Sequence, residues 1–157
     1  MIELLKDKNN SIALIGASTN KNKFGYKILI DLVSKDYDVI PVNNKEVEIE
    51  GRKVFKTVQE ISDCPSIINF VVPPSIGFEI TKDLVEKGYD NFWYQPGAES
   101  AEISEYLDSN KKNYIDDIID DIADDIIDDI INDFMRRVIN DVIDDVIMWI
   151  MDGIIND

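Results

Sequence analysis

The stretch Ser11-Ile-Ala-Leu-Ile-Gly-Ala-Ser-Thr-Asn-Lys-Asn-Lys-Phe-Gly-Tyr26 decides how this chain is read. An apolar run over 12–15 ends in Gly16-Ala17-Ser18, passes through a polar loop with two lysines, and restarts as a helical pattern at Phe24-Gly25. A buried parallel strand that feeds a helix N-terminus has this form. Such a junction attracts anions, because the first helical N–H groups lack partners and the helix dipole is positive there. The expected guest is a phosphate-bearing cofactor.

Two named phosphate motifs fail on this loop. Gly16 stands alone until Gly25, so the three-glycine dinucleotide fingerprint is absent, and no Gly-Lys-Ser/Thr opens the helix. What remains is one glycine for close backbone approach, Ser18 and Thr19 as hydroxyl donors, and Lys21 and Lys23 as charge. A plain strand-to-helix connection has the same outline, so the other strand ends must decide.

The 157 residues suit one domain with an extension. No window reaches the ~18 consecutive apolar residues of a membrane span, and the charged start Met1-Ile-Glu-Leu-Leu-Lys-Asp-Lys8 lacks a signal-peptide pattern. Cys64 is the single cysteine, which excludes an internal disulfide and fits a reducing, cytoplasmic setting. Histidine is absent, which removes Ser-His and Cys-His catalysis, phosphohistidine transfer and His-ligated metals together. Of the 32 acidic and 16 basic side chains, 14 and 2 fall from Ile115 onward, giving −12 there and −4 over 1–114. Neither part carries a basic stripe, so no nucleic-acid partner is expected.

Strand and helix signals alternate from Ser11 to about Leu107. The runs 12–15, 39–42, 67–72 and 92–94 are short and rich in β-branched or aromatic residues, as strands covered on both faces should be. Between them, Gly25, Ile28, Leu29, Leu32 and Val33 share one helical stripe. Ile76, Ile80 and Leu84 recur every four residues ahead of a stop at Gly88. In a last helix, Glu99 and Glu102 are expected in the first turn, with Ile103, Tyr106 and Leu107 inward. Residues 46–57 read as a loop or edge hairpin turning at Glu50-Gly51-Arg52. This order predicts an α/β fold, a doubly wound parallel sheet with right-handed crossovers.

Ligands of such sheets bind beyond the carboxyl ends of the strands. Those ends read Gly16-Ala17-Ser18, Asn43-Asn44-Lys45, Val72-Pro73-Pro74 and Gln95-Pro96-Gly97. A NAD site normally carries a carboxylate at the second of these, where this chain has two amides and Lys45. An ammonium there favours a nucleotide with an extra ribose phosphate, either coenzyme A or NADP. Pro73-Pro74 removes two N–H donors and leaves a rather apolar wall, which suits an adenine or a pantetheine.

The segments Ile12-Ala-Leu-Ile-Gly-Ala-Ser18, Tyr37-Asp-Val-Ile-Pro-Val-Asn43, Ile49-Glu-Gly-Arg-Lys-Val54, Phe70-Val-Val-Pro-Pro74 and Trp93-Tyr-Gln-Pro-Gly-Ala-Glu-Ser100 carry a resemblance. Together they resemble the small stand-alone CoA-binding proteins of Rossmann-like fold, a family similar to the CoA-binding domain of the succinyl-CoA synthetase α subunit. The resemblance covers 1–114 and implies coenzyme A, free or acylated, as the ligand. It implies that Gly16, Ala17 and Ser18, with Lys23, Phe24, Gly25 and Tyr26, hold the diphosphate. Asn43 and Lys45 would lie near the ribose and its 3′-phosphate, and Val72, Pro73 and Pro74 would flank the adenine or pantetheine. Gln95, Pro96 and Gly97 would line the far side. The ligase relatives use a phosphohistidine from a further domain, and this chain has no histidine. Binding without catalysis is the expectation; an NADP-binding or acyl-CoA-processing enzyme subunit that needs a partner chain is the alternative.

The family's expected ending gives way to an Asp/Ile-rich extension over 115–157. Apolar pairs recur every four residues from 118/119 to 154/155. Each repeat drifts by roughly 40° around a helix of ~3.6 residues per turn, so two or three short helices are expected rather than one. Asp and Ile are weak helix formers, so order there would depend on burial of the isoleucines, against the body or in a homo-oligomer. The paired aspartates lack a D-x-D-x-D-G loop and read as a solvated face rather than a metal site.

Overall fold

A computed structural model of the chain describes residues 1–115. The readings of the extension as helices, and as a self-association element, lie outside the described residues. The body is an α/β, Rossmann-like doubly wound fold. Its main sheet contains β1 (Ser11–Ile15), β2 (Asp38–Val42), β5 (Ile67–Phe70), β6 (Asn91–Tyr94) and β7 (Asn113–Ile115), in the order β2-β1-β5-β6-β7. Every pairing within it is parallel. The chain leaves β1 toward β2 and later returns past β1 to β5, so the strand order reverses between β1 and β5. That reversal places the ligand crevice of this fold class above the carboxyl ends of β1 and β5.

The two faces of the sheet carry separate cores. On one face α2 (Phe24–Ser34) buries Gly25, Leu29 and Leu32, packing against Ile12, Leu14 and Val39. On the other, α3 (Pro74–Glu86) and α4 (Ala101–Ser109) bury Leu84, Ile103 and Leu107 against Ala13, Phe70, Phe92 and Tyr94. Burial on both faces explains why β1 reads as an apolar run over 12–15 and why β5 is apolar but for the buried Asn69. The Phe70 and Tyr94 rings stack at 4.7 Å between centroids and join β5 to β6.

Residues 46–57 form the expected hairpin, β3 (Glu48–Ile49) and β4 (Arg52–Lys53). Glu50 and Gly51 turn it with φ of 48° and 75°, the pair of positive values a tight two-residue turn needs. A 3-10 turn, Val58–Glu60, then leads into β5. Two details differ from the sequence expectation. The inward stripe of α3 is Gly77, Thr81 and Leu84, while Ile76 is exposed. The polar Thr81 is tolerated there because its hydroxyl donates to Gly77 O at 2.8 Å and meets the Tyr94 hydroxyl at 2.7 Å. Glu99 precedes α4 instead of joining its first turn; Ser100 caps the helix by accepting from Ile103 N at 3.3 Å. The short N-terminal helix α1 (Ile2–Lys6) had no sequence signal, and Tyr37 anchors it by donating to Leu5 O at 2.9 Å. No helix among the described residues is long and apolar enough to cross a membrane.

Candidate functional site

The loop between β1 and α2 is built on two glycines. Gly16 has φ +98°, and a Cβ there would lie 2.9 Å from Val72 Cγ1 and 3.1 Å from the Val71 carbonyl carbon. A Cβ on Gly25 would collide with the Gly16 carbonyl oxygen. The first turn of α2 therefore rests directly on the end of β1, an approach open to glycine alone. Between the glycines, the buried Ser18 accepts from Asn20 N at 3.2 Å, and Asn20 Oδ1 accepts from Asn22 N at 3.0 Å. Lys23 stands at the helix N-cap with no side-chain cap bond, and the first turn holds no acidic residue. The N–H groups of Lys23 and Tyr26 donate to Asn20 O at 3.0 Å and Lys23 O at 3.1 Å, while no side chain among the described residues caps the positive end of α2.

Two carboxylates from the segment after β2 fasten this loop. Thr19 donates to Glu46 Oε1 at 3.0 Å, and the Tyr26 hydroxyl donates to Glu50 Oε1 at 2.7 Å. The bond to Glu50, with some loss of solvent and the carboxylate's charge, raises Tyr26 above its ordinary 10.0. Asn43 ties the two strand ends together. Its Nδ2 donates to Ala17 O at 2.6 Å, and its Oδ1 accepts from Lys45 N at 2.8 Å and Glu46 N at 3.4 Å.

A cleft of about 420 Å³ opens beside the loop, at the carboxyl ends of β1 and β2 and along α3. Its walls are mainly apolar, with Ile15, Val42, Val58, Val72, Ile76 and Ile80, and its polar rim carries Asn43, Asn44, Lys56 and Thr57. Ile76, which the helical pattern placed inward, is 52% exposed and faces this cleft. Of the residues anticipated from sequence, Gly16, Asn43 and Val72 line the cleft. Ala17 and Ser18 are buried behind the loop, while Lys23 and Phe24 stand in solvent at the start of α2, Phe24 with 74% exposure. Pro73 caps α3 and Pro74 is its first residue.

Gln95, Pro96 and Gly97 are not part of the cleft wall. They form a turn closed by Ala98 N donating to Gln95 O at 2.8 Å, with Gly97 at φ 89° and its N–H donating to Glu99 at 2.6 Å. Gln95 Nε2 donates at 3.2 Å to the fully buried Asn69, whose own Nδ2 lacks a hydrogen-bond partner. Lys45 and Lys56 are both exposed; Lys56 lines the cleft and Lys45 does not. Lys56 escaped the sequence reading because no strand signal precedes it.

A doubly wound sheet with a bare helix end and an apolar cleft at its switch point defines a nucleotide-binding class of fold. Within that class the chain belongs to the CoA binding domain family, whose model matches residues 10–118. The α subunit of an ADP-forming acetate–CoA ligase I of Pyrococcus furiosus is 39% identical over 84 residues, 50% of this chain and 18% of that subunit. The chain thus spans less than a fifth of the ligase subunit it matches. A conserved hypothetical protein of Pyrococcus furiosus has a solved structure with 46% identity and a TM-score of 0.64, covering 67% of this chain and 90% of its own. A hypothetical protein of Pyrococcus horikoshii matches at 26% identity and a TM-score of 0.66, covering 74% and 83%.

Proposed function

We propose that this chain binds coenzyme A or an acyl-CoA across the carboxyl ends of β1, β2 and β5 and performs no chemistry of its own. The observation that carries the reading is the uncapped N-terminus of α2, pressed onto Gly16 with no side-chain acceptor and no acid in its first turn. A diphosphate fits that end, because backbone N–H groups and the helix dipole both favour it. Gly16, Ala17 and Ser18 bring backbone close to the diphosphate, and Lys23 adds charge from the N-cap. Phe24, Gly25 and Tyr26 complete this side. Val72, Pro73 and Pro74, with the exposed Ile76, offer an apolar surface to the adenine or the pantetheine arm. Gln95, Pro96 and Gly97 would meet the ligand only at its far end.

Coenzyme A, once bound, contributes a thiol able to carry an acyl group as a thioester. The chain lacks histidine and so brings neither an imidazole base nor a phosphohistidine to that thiol. Ligase activity of the kind named for the longer relatives would need catalytic groups beyond those of these 157 residues. Calorimetric titration with coenzyme A, acetyl-CoA, NAD and NADP tests the reading. Saturable heat with coenzyme A and none with NAD is the expected result; binding of NADP alone would replace it with the dinucleotide alternative. Turnover of acyl-CoA by the isolated chain would overturn the non-catalytic part.

A further inference from the structure

Resting on the CoA reading above, we infer that the amides of Asn69 and Gln95 recognise the carbonyl of an acyl thioester, so that acyl-CoA is preferred to coenzyme A. Asn69 stands inside β5, fully buried, in register with Leu14 of β1 and Trp93 of β6. Its Oδ1 accepts from Gln95 Nε2 at 3.2 Å, while its Nδ2 has no hydrogen-bond partner among the described residues. A buried donor without an acceptor destabilises the unliganded chain, and an acceptor that reaches it recovers the loss. The orphan N–H group therefore points to a guest oxygen.

The pair lies where the far end of the ligand arrives. Side chains alternate along a strand, so Asn69 shares a face with Ile67, and Gln95 with Trp93. Ile67 and Trp93 both pack in the core on the α2 side, the side on which the bare end of α2 meets β1. The strands run in the order β2-β1-β5-β6. A ligand with its nucleotide toward β2 and its diphosphate at α2 therefore carries its thiol end over β5 to β6. Gln95 is the first residue after β6, held in place by its N–H donating to Phe70 O at 3.0 Å. Its half-buried side chain joins the enclosed Asn69 to that strand end. Asn69 uses one of the two Nε2 hydrogens of Gln95 and leaves the other to the ligand. Because the two amides touch, this second N–H and the orphan N–H of Asn69 lie within reach of one oxygen. Both are uncharged donors, which suits a neutral carbonyl. The free thiol of coenzyme A is a weak acceptor, so the acylated form gains more from them.

The test is calorimetric titration of coenzyme A, acetyl-CoA and S-ethyl-CoA, the thioether that lacks only the carbonyl oxygen, into the full chain and its Asn69→Leu and Gln95→Leu variants. A pair of neutral hydrogen bonds predicts about tenfold tighter binding of acetyl-CoA than of ethyl-CoA or coenzyme A by the unaltered chain. Either substitution should abolish that ratio by weakening acetyl-CoA alone, with unchanged affinity for ethyl-CoA as the folding control. Infrared difference spectra with acetyl-CoA isotope-labelled at the thioester carbonyl give a second readout on the unaltered chain. The bound carbonyl band should move to lower wavenumber than in solution, and a band that does not move overturns the assignment whether or not the variants fold. Equal affinity for acetyl-CoA and ethyl-CoA overturns it as well, and so does a ratio that survives either substitution. Equal weakening of all three ligands would give the amides to a pantetheine carbonyl and overturns it too. Each of these results leaves the CoA reading intact, whereas failure to bind any of the three overturns both.

Discussion

The helices α2 and α3 each follow a central parallel strand, α2 after the loop 16–23 and α3 after 71–73, and neither has a side-chain cap. Their beginnings nonetheless have opposite chemistry. At α2 the chain supplies two glycines, free N–H groups and lysines. At α3 it supplies Pro73 and Pro74, which remove two donors, and then Ile76, which faces the cleft. Topology thus makes both ends available, and side chains decide which end takes charge and which takes an apolar group. A ligand with a diphosphate at one end and apolar parts beside it matches the pair better than either end alone.

The largest expected effect breaks the comparison at α2. Gly25→Ala forces a methyl against the Gly16 carbonyl, so the helix must slide or the loop must open. Overpacking against backbone should cost about 1–3 kcal/mol, read by urea denaturation, and coenzyme A binding should be lost. Next is the α3 side. Ile76→Asp should leave stability nearly unchanged, since the side chain is 52% exposed. It should nevertheless weaken coenzyme A by about tenfold, because an apolar contact is replaced by a carboxylate. Equal binding by this variant would remove α3 from the site.

A smaller effect concerns the strut from Tyr26 to Glu50. The folded chain holds the Tyr26 proton more tightly than the unfolded chain does, because the hydroxyl donates to Glu50. Its contribution is therefore present below pH 10.0 and fades as pH rises through the raised value. Thermal midpoints followed from neutral to alkaline pH should fall less steeply for Tyr26→Phe than for the unaltered chain. The smallest effect is expected from removing 118–157, because the residues argued above to hold the ligand all lie within 1–115. Coenzyme A affinity should be the same with and without them, and a marked loss would extend the site beyond the body.

Much of this was legible in the sequence because it rests on short-range rules. Each of the predicted strands is present within a few residues, and the Glu50-Gly51 turn forms where the hairpin was expected. Gly88, at φ 89°, closes α3 as the stop signal implied. The misses share a cause. Ile76 was placed inward by its spacing, but Thr81 took the buried stripe because Tyr94, thirteen residues away on β6, satisfies its hydroxyl. Asn43 lines the cleft as the strand-end position implied, and its amide also joins the β1 and β2 ends, a tie that no local pattern shows. No local pattern announces a partner supplied by another strand.

The sequence by itself determined a parallel α/β body and the glycine-framed β1–α2 loop at the end of its first strand. Apolar runs, helical spacing and glycine placement act over a few residues, and there the chain's own chemistry leaves little choice. Only the tertiary structure decided which cation faces the cleft. Lys45 sits at the end of a visible strand and Lys56 after a single residue, Phe55, whose pairing exists because β2 offers it an edge. A one-residue rung has no periodicity to read, so its position, and that of the lysine it carries, follows from the assembled sheet alone.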